Sequence, residues 1–361
     1  MKLKFYSLKN ILSKNAVYNV IFGERSNGKT YACLKYALEN YVKEGKQTGL
    51  VRRWREDFIG KRGVTMFDSL VENGEVDKLT KGAYNSIYYF GSKWYLCKYV
   101  DGEKKEQDET PFCYGFSLSS MEHDKSTSYP KITTIIFDEF LTRKMYIPDE
   151  FVLFMNVIST IVRHRTDVKI FMLGNTVNKY CPYFAEMGLT HIKEMKQGTI
   201  DVYQYGDSTL TVAVEYCKPN TQGKPSDVYF AFNNPKLQMI KGGAWEIDIY
   251  PHCPYKYAPK DILYRFFISF DGEMLEGEIV GVDEMLFIFI HRRTKELNHP
   301  EEELIYTTET SPLPNHVRMI TKPRTKIEKK IAELFKSDKV FFSDNEVGDI
   351  VRNYFSWCVK H

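Results

Sequence analysis

The chain has 361 residues, 43% of them hydrophobic and 15% aromatic, enough apolar material for two domains with sizeable cores. Its net charge is only +3, but residues 1–62 hold 14 Lys/Arg against 5 Asp/Glu, so 14 − 5 = +9, a basic region suited to a polyanion partner. No apolar run approaches the roughly 18 residues of a membrane span, and the first residues lack a signal peptide's apolar stretch. The seven cysteines show no C-x-x-C spacing and the eight histidines no H-E-x-x-H, which argues against a disulfide framework or a zinc motif and fits a reducing cytoplasm.

In chain order, the apolar run 16–22 predicts a buried strand. It runs into Gly23, Glu24, Arg25, Ser26, Asn27, Gly28, Lys29 and Thr30, a complete G-x-x-x-x-G-K-[ST] loop. Such a loop curls so that its N–H groups face phosphates, its lysine reaches the β- and γ-phosphates, and its Thr30 hydroxyl ligates Mg²⁺. Residues 31–44 predict the helix that follows, with Leu34, Ala37, Leu38, Tyr41 and Val42 on one face and Gly45 as its stop. Residues 47–53 predict a second strand. The aromatic stretch 84–100 precedes a charged stretch, 101–110, expected to be a hairpin tip or loop. Residues 132–137 predict another buried strand, ending in Asp138 and Glu139. A helix opened by Pro148 and Asp149 follows, then a strand over 168–173. Apolar strands alternating with helices predict an α/β fold with a parallel sheet flanked by helices. Pro- and Gly-rich loop chemistry places a P-loop domain at 1–209, a connector at 210–250 and a smaller α+β domain at 251–361. In that last domain strands are expected at 262–270 and 278–291, an acidic turn at 271–277, and helices near 325–336 and 344–358.

The chemistry follows from spacing. Asp138 and Glu139 close an apolar strand 109 residues after Lys29 (138 − 29). The aspartate is placed to hold Mg²⁺ and the glutamate to polarise the attacking water, so the pair predicts ATP hydrolysis rather than binding alone. Asn175 ends the next strand, either as a γ-phosphate sensor or as an ordinary Gly-Asn strand-end turn. A cation on the developing charge would complete such a site, often from a neighbouring subunit. Arg165 is ranked first for that role and Arg163 next, with Lys125 as a further candidate and Arg25 able to act within its own chain. Arg55, Lys61, Arg62, Lys104 and Lys105 are candidates for gripping phosphates. The stretch from Arg318 to Lys330 carries six cations and one acid, Glu328. A helicase-like ATPase acting on single strands and a non-motor assembly switch are the rival readings of the same loop.

The order of the loop at 23–30, Arg52-Arg53, the strand ending in Asp138-Glu139-Phe140, Arg163 to Arg165, and Phe171 to Thr176 resembles the genome-packaging ATPases of small, short-tailed, protein-primed phages. The resemblance is firm over residues 16–180. It implies an ASCE-type P-loop motor that forms a homomeric ring, generally a pentamer, at the portal vertex of the prohead in the host cytoplasm. Such a ring drives double-stranded DNA into the capsid and is often anchored by a prohead RNA. The resemblance gives Lys29, Thr30, Asp138 and Glu139 their phosphate, Mg²⁺ and hydrolysis roles. It makes Lys125 and an arginine within 163–165 trans-acting groups. It further implies that the C-terminal domain is a vestigial RNase H-type nuclease. Asp271 follows the strand where a first catalytic carboxylate would sit but reads as a turn residue, so no endonuclease activity is expected.

Overall fold

A computed structural model describes residues 6–25, 27–123, 127–142, 146–147, 149–175, 181–206, 208, 210–218, 250–282, 284–293, 297 and 301–360. The chain divides into two compact units, one comprising Met1–Thr142, Asp149–Val177 and Tyr183–Ala244, the other Arg143–Pro148, Asn178–Pro182 and Trp245–His361.

The first unit is built on a ten-stranded sheet. Its strands are β1 (Tyr18–Gly23), β2 (Gln47–Arg52), β3 (Ser86–Phe90), β4 (Lys93–Val100), β5 (Glu103–Gln107), β6 (Cys113–Ser117), β7 (Ile132–Asp138), β8 (Lys169–Asn175), β9 (Ile200–Gln204) and β10 (Thr211–Tyr216). They lie in the order β3-β4-β6-β2-β7-β8-β1-β10-β9, with β5 paired to β4. From β6 to β10 every neighbour is parallel; β9 and the β3–β4–β5 meander are antiparallel. All residues of β1 and β7 are buried, as continuous apolar strands covered on both faces must be. β8 lies between β1 and β7, the intervening strand that an ASCE arrangement requires.

Helix α1 (Lys9–Leu12) precedes β1, and α2 (Lys29–Glu44) follows it. Leu34 and Leu38 of α2 share one core with Ile21, Leu50, Ile136 and Phe171. Of the short helices α3 (Lys61–Val64), α4 (Asp68–Glu72) and α5 (Glu75–Leu79), α4 contributes Leu70 and α5 Val76 to that core. Helix α6 (Glu150–Val162) buries Phe154, Val157, Ile158 and Ile161. Phe154 meets Phe137 at 4.9 Å between ring centroids, and Tyr183 of α7 (Pro182–Glu186) meets Phe137 at 5.5 Å.

Two expectations for this unit change. The charged stretch 101–110 holds the expected hairpin tip, at Asp101 and Gly102, but also an edge strand, β5, whose uniformly polar residues pair with β4 and stay largely exposed. The expected domain boundary at 209 falls one strand early: residues 211–216 are β10, paired in parallel with β1 and buried at five of six positions. Residues 219–249, most of the expected connector, lie outside the described residues.

The second unit holds β11 (Ile262–Phe270), β12 (Glu273–Val282), β13 (Met285–Arg292), β14 (Ile305–Thr307), β15 (His316–Val317) and β16 (Val340–Phe342), in the order β15-β14-β11-β12-β13-β16. The first three form an antiparallel meander. β14 runs parallel to β11, β15 to β14 and β16 to β13. Helices α8 (Lys326–Lys336) and α9 (Asn345–Lys360) bring Ile331, Leu334, Ile350 and Tyr354 onto Phe266, Ile268 and Ile288. The expected single strand at 278–291 is instead the hairpin of β12 and β13. The expected turn at 271–277 shrinks to Asp271 and Gly272, both at positive φ (53° and 77°), the backbone of a two-residue hairpin turn. Asp271 is thus a turn residue.

Candidate active site

In parallel strands the C-terminal ends meet at one edge of the sheet, and there β1, β8 and β7 deliver the loop at 23–30, Asn175 and Asp138. The loop's backbone depends on two glycines. Gly28, at the start of α2, has φ 92°, and at Gly23 a Cβ would come within 2.8 Å of the Cys217 Cβ. Asn27 is buried, and its Oδ1 accepts from the Lys29 N–H at 3.2 Å. Glu24 is half-buried, Arg25 is exposed, and Ser26 lies outside the described residues.

Lys29 is only 5% exposed, and its ammonium donates to the carbonyls of Glu24 (2.6 Å) and Gly23 (3.4 Å) and to Asn175 Oδ1 (3.3 Å). Burial lowers its pKa, because the charged form loses water there. Gly23 and Asn175 are register partners, and the Asn175 side-chain amide touches the loop lysine directly. The Thr30 hydroxyl donates to Asp138 Oδ1 at 3.1 Å. Burial raises the pKa of Asp138, while Arg52 opposes that rise.

Two arginines at the end of β2 complete the constellation, a role that adjacency in sequence alone did not reveal. Val51 pairs with Phe137, so the two strands leave the sheet side by side. Arg52 bridges the acidic pair, with Nη2 2.8 Å from Asp138 Oδ2 and Nη1 2.9 Å from Glu139 Oε2. Its Nε is buried without a hydrogen-bond partner. Arg53 forms a two-pronged ion pair with Glu150 at 2.7 and 2.8 Å and also donates to the carbonyls of Glu139 (3.1 Å) and Phe140 (2.8 Å). Glu139 itself has φ 62°, a left-handed backbone that costs a non-glycine residue roughly 1–2 kcal/mol. Its side chain is 61% exposed.

Arg163 and Arg165 lie elsewhere. Arg165 donates to the carbonyls of Tyr129, Pro130 and Ile132, at the N-terminal end of β7, and to that of Ile161 in α6. Seven residues of strand, about 20 Å, separate that end from Asp138. Arg163 is exposed and makes one such bond, to the Thr127 carbonyl at 3.2 Å. The guanidinium of Arg165 ties α6 to the start of β7. Lys125 lies outside the described residues. Among the phosphate-gripping candidates, Lys104 sits 3.5 Å over the Tyr88 ring, Lys105 pairs with Glu103, and Arg62 lies 3.8 Å from Asp57.

Glu328, the single acid in the basic stretch 318–330, is buried. It accepts from the Arg324 N–H and the Thr325 hydroxyl, while its own N–H donates to Thr325 Oγ1, a cap for α8. The cations around it, Arg318, Lys322, Arg324, Lys326 and Lys329, are exposed.

Comparison with known proteins gives one consistent result. Residues 1–205, more than half of the chain, match the family described as podovirus DNA encapsidation protein (Gp16). The DNA packaging protein of Bacillus phage PZA is 24% identical over 368 residues, and that of Bacillus phage phi29 is 22% identical over 358, each with 98% of both chains covered. Among solved structures, the bacteriophage Phi-29 viral genome packaging motor assembly superimposes with a TM-score of 0.59 at 19% identity, covering 98% of this chain and 99% of that one. The Phi-28 gp11 DNA packaging motor gives 0.54 at 20% identity, covering 100% and 99%. These structural likenesses bear on the fold.

Proposed function

The chain belongs to the podovirus DNA encapsidation (Gp16) family, and from that membership we propose that it is an ATP-hydrolysing motor that moves viral double-stranded DNA into a preformed capsid. The observation that carries the hydrolytic part is the continuous contact chain from Asn175 through Lys29 and from Thr30 through Asp138 and Arg52 to Glu139. ATP phosphates would lie against the N–H groups of residues 23–30 at the start of α2. Lys29 would exchange its carbonyl partners for phosphate oxygens, whose charge favours the ammonium that burial disfavours. Glu139 would leave Arg52 and orient the attacking water as general base. Thr30 and Asp138 offer oxygen donors to a hard cation, and burial of Asp138 makes an added positive charge favourable. Mg²⁺ held there would neutralise charge on the phosphates.

A homomeric ring, with each site completed by a neighbour, is the arrangement the arginines favour. Arg163 is exposed, whereas the Arg165 guanidinium is tied to main-chain carbonyls, so Arg163 is the better trans-acting group of the two. DNA, the portal and prohead, and a prohead RNA would be its partners in the host cytoplasm. The strand order β13-β12-β11-β14-β15 supports a vestigial RNase H-type second domain, and Asp271, placed in the turn rather than on β11, supports the loss of nuclease activity.

The test is ATP hydrolysis measured with and without procapsids and linear double-stranded DNA, alongside DNase protection of that DNA. ATP-dependent protection is expected; hydrolysis with strand separation but no protection would replace packaging with a helicase. Mixing Glu139→Gln subunits with Arg163→Ala subunits should restore hydrolysis to a fraction of the sites. No recovery in the mixture would sink the trans assignment.

A further inference from the structure

Arg52 is the last residue of β2 and Arg53 the first beyond it, and they meet the acidic turn differently: Arg52 engages the carboxylates of Asp138 and Glu139, Arg53 the carbonyls of Glu139 and Phe140. Arg53 is 6% exposed and Glu150 2%, and Tyr183 donates its hydroxyl to Glu150 Oε1 at 2.8 Å. The Arg53 guanidinium meets Glu150 and the carbonyls of Glu139 and Phe140. Those carbonyls belong to Glu139 and the residue after it, so both bonds hold the chain as it leaves the left-handed backbone of Glu139. A backbone conformation of that kind persists only where its surroundings over-determine it.

We propose that Arg53 is a positioning residue for hydrolysis: its guanidinium, oriented by Glu150 and Tyr183, fixes the peptide around Glu139 and so sets where the Glu139 carboxylate points once it leaves Arg52. The inference rests on the ATPase reading of the site. It assigns the two arginines separate tasks. Arg52 governs which partner the Glu139 carboxylate has, and Arg53 governs the backbone from which that carboxylate projects. A guanidinium suits the second task because its planar fork serves the Glu150 carboxylate and two carbonyls at once, whereas an ammonium keeps the charge but cannot span all four acceptors.

Two variants of the full chain test this. Arg53→Lys retains a cation beside Glu150. The triple variant Arg53→Met/Glu150→Leu/Tyr183→Phe replaces the buried ionic cluster by apolar side chains, a change that buried ion pairs often tolerate without loss of stability. Three quantities are read for each: Tm, Kd for a fluorescent ATP analogue, and kcat for ATP with procapsids and DNA. The expected result is a Kd within about twofold of wild type and a kcat lowered roughly 10- to 100-fold, since small misplacements of a catalytic group have effects of that size. Either variant hydrolysing at the wild-type rate overturns the proposal. So does a parallel loss of affinity and kcat, or failure of both variants to fold, because each marks Arg53 as merely structural. Absence of hydrolysis in the wild-type chain is a different result, which overturns the ATPase reading itself.

Discussion

Each unit contains two neighbouring carboxylates bridged by an arginine, and only one of these groupings has the surroundings of a hydrolytic site. In the first unit Asp138 and Glu139 sit at the C-terminal end of a parallel strand, beside the phosphate loop, with Arg52 between them. In the second unit Glu276 and Glu278 lie mid-strand on one face of β12, with Arg265 Nε 3.0 and 3.3 Å away. The Tyr257 hydroxyl donates to Glu278 at 2.7 Å, and His291, the register partner of Glu276, brings a ring nitrogen within 4.8 Å of both acids. The side-chain chemistry is much the same. The difference lies in the backbone: strand ends in a parallel sheet open onto a crevice with unpaired N–H groups, whereas the middle of a meander has its N–H groups committed to neighbouring strands. Carboxylates become hydrolytic where the fold leaves room for a phosphate, not wherever acids cluster.

The sharpest way to break this comparison is to neutralise both groupings. Glu139→Gln should lower ATP hydrolysis about 10²- to 10⁴-fold while leaving nucleotide affinity nearly intact, as loss of a general base does. The double variant Glu276→Gln/Glu278→Gln should leave hydrolysis within about twofold of wild type. Steady-state rates and a nucleotide titration on the same preparations decide it, and equal losses in the two variants would erase the distinction between the units.

A smaller effect is expected at Arg52. Burial raises the pKa of Asp138, and Arg52 counters part of that rise. The carboxylate must be ionised to hold Mg²⁺, so Mg²⁺-dependent ATP affinity should weaken as the pH falls toward the raised pKa of Asp138. The stability contribution has the opposite sign. A carboxyl group with a raised folded pKa binds its proton more tightly in the folded state, so it favours the nucleotide-free fold at low pH, and that contribution is lost as the pH rises through the folded pKa. Arg52→Ala removes the opposing cation and should move the loss of Mg²⁺-dependent affinity to higher pH, with a hydrolysis rate lowered roughly tenfold at neutral pH. Titrations across the acid range in the presence and absence of Mg²⁺ measure both; an unshifted pH dependence in Arg52→Ala would mean that Arg52 does not govern Asp138.

What the sequence revealed follows the same division. The phosphate loop, β1 and α2 were legible because the motif is contiguous and its flanks are strongly patterned. Asp138 and Glu139 were legible because the pair terminates an uninterrupted apolar run. Arg53 was not, since its partners are a carboxylate 97 residues away and two backbone carbonyls, and carbonyls leave no trace in residue identity. The ties of Arg165 were hidden for the same reason: four of its acceptors are main-chain oxygens. β10 was assigned to the connector because the loop chemistry after it draws the eye, although Val212, Ala213 and Val214 pair with β1 and are buried. The β12–β13 hairpin read as one strand because apolar residues run through both arms and only a short turn separates them.

The mildest prediction concerns Arg265. Its side chain is 51% exposed, so water screens much of its attraction to Glu276 and Glu278, which are themselves 9% and 7% exposed as residues. Arg265→Ala leaves two adjacent buried carboxylates facing one another with only the Tyr257 hydroxyl and His291 at hand. Like charges at that range repel. The variant should therefore lower Tm by a few degrees and recover part of that loss in added salt, which screens the repulsion. ATP hydrolysis should be unchanged at temperatures below the transition. A Tm loss that salt leaves constant would show that Arg265 contributes packing rather than charge. A change in hydrolysis would tie the second unit's acids to the reaction and so reverse the contrast between the two groupings.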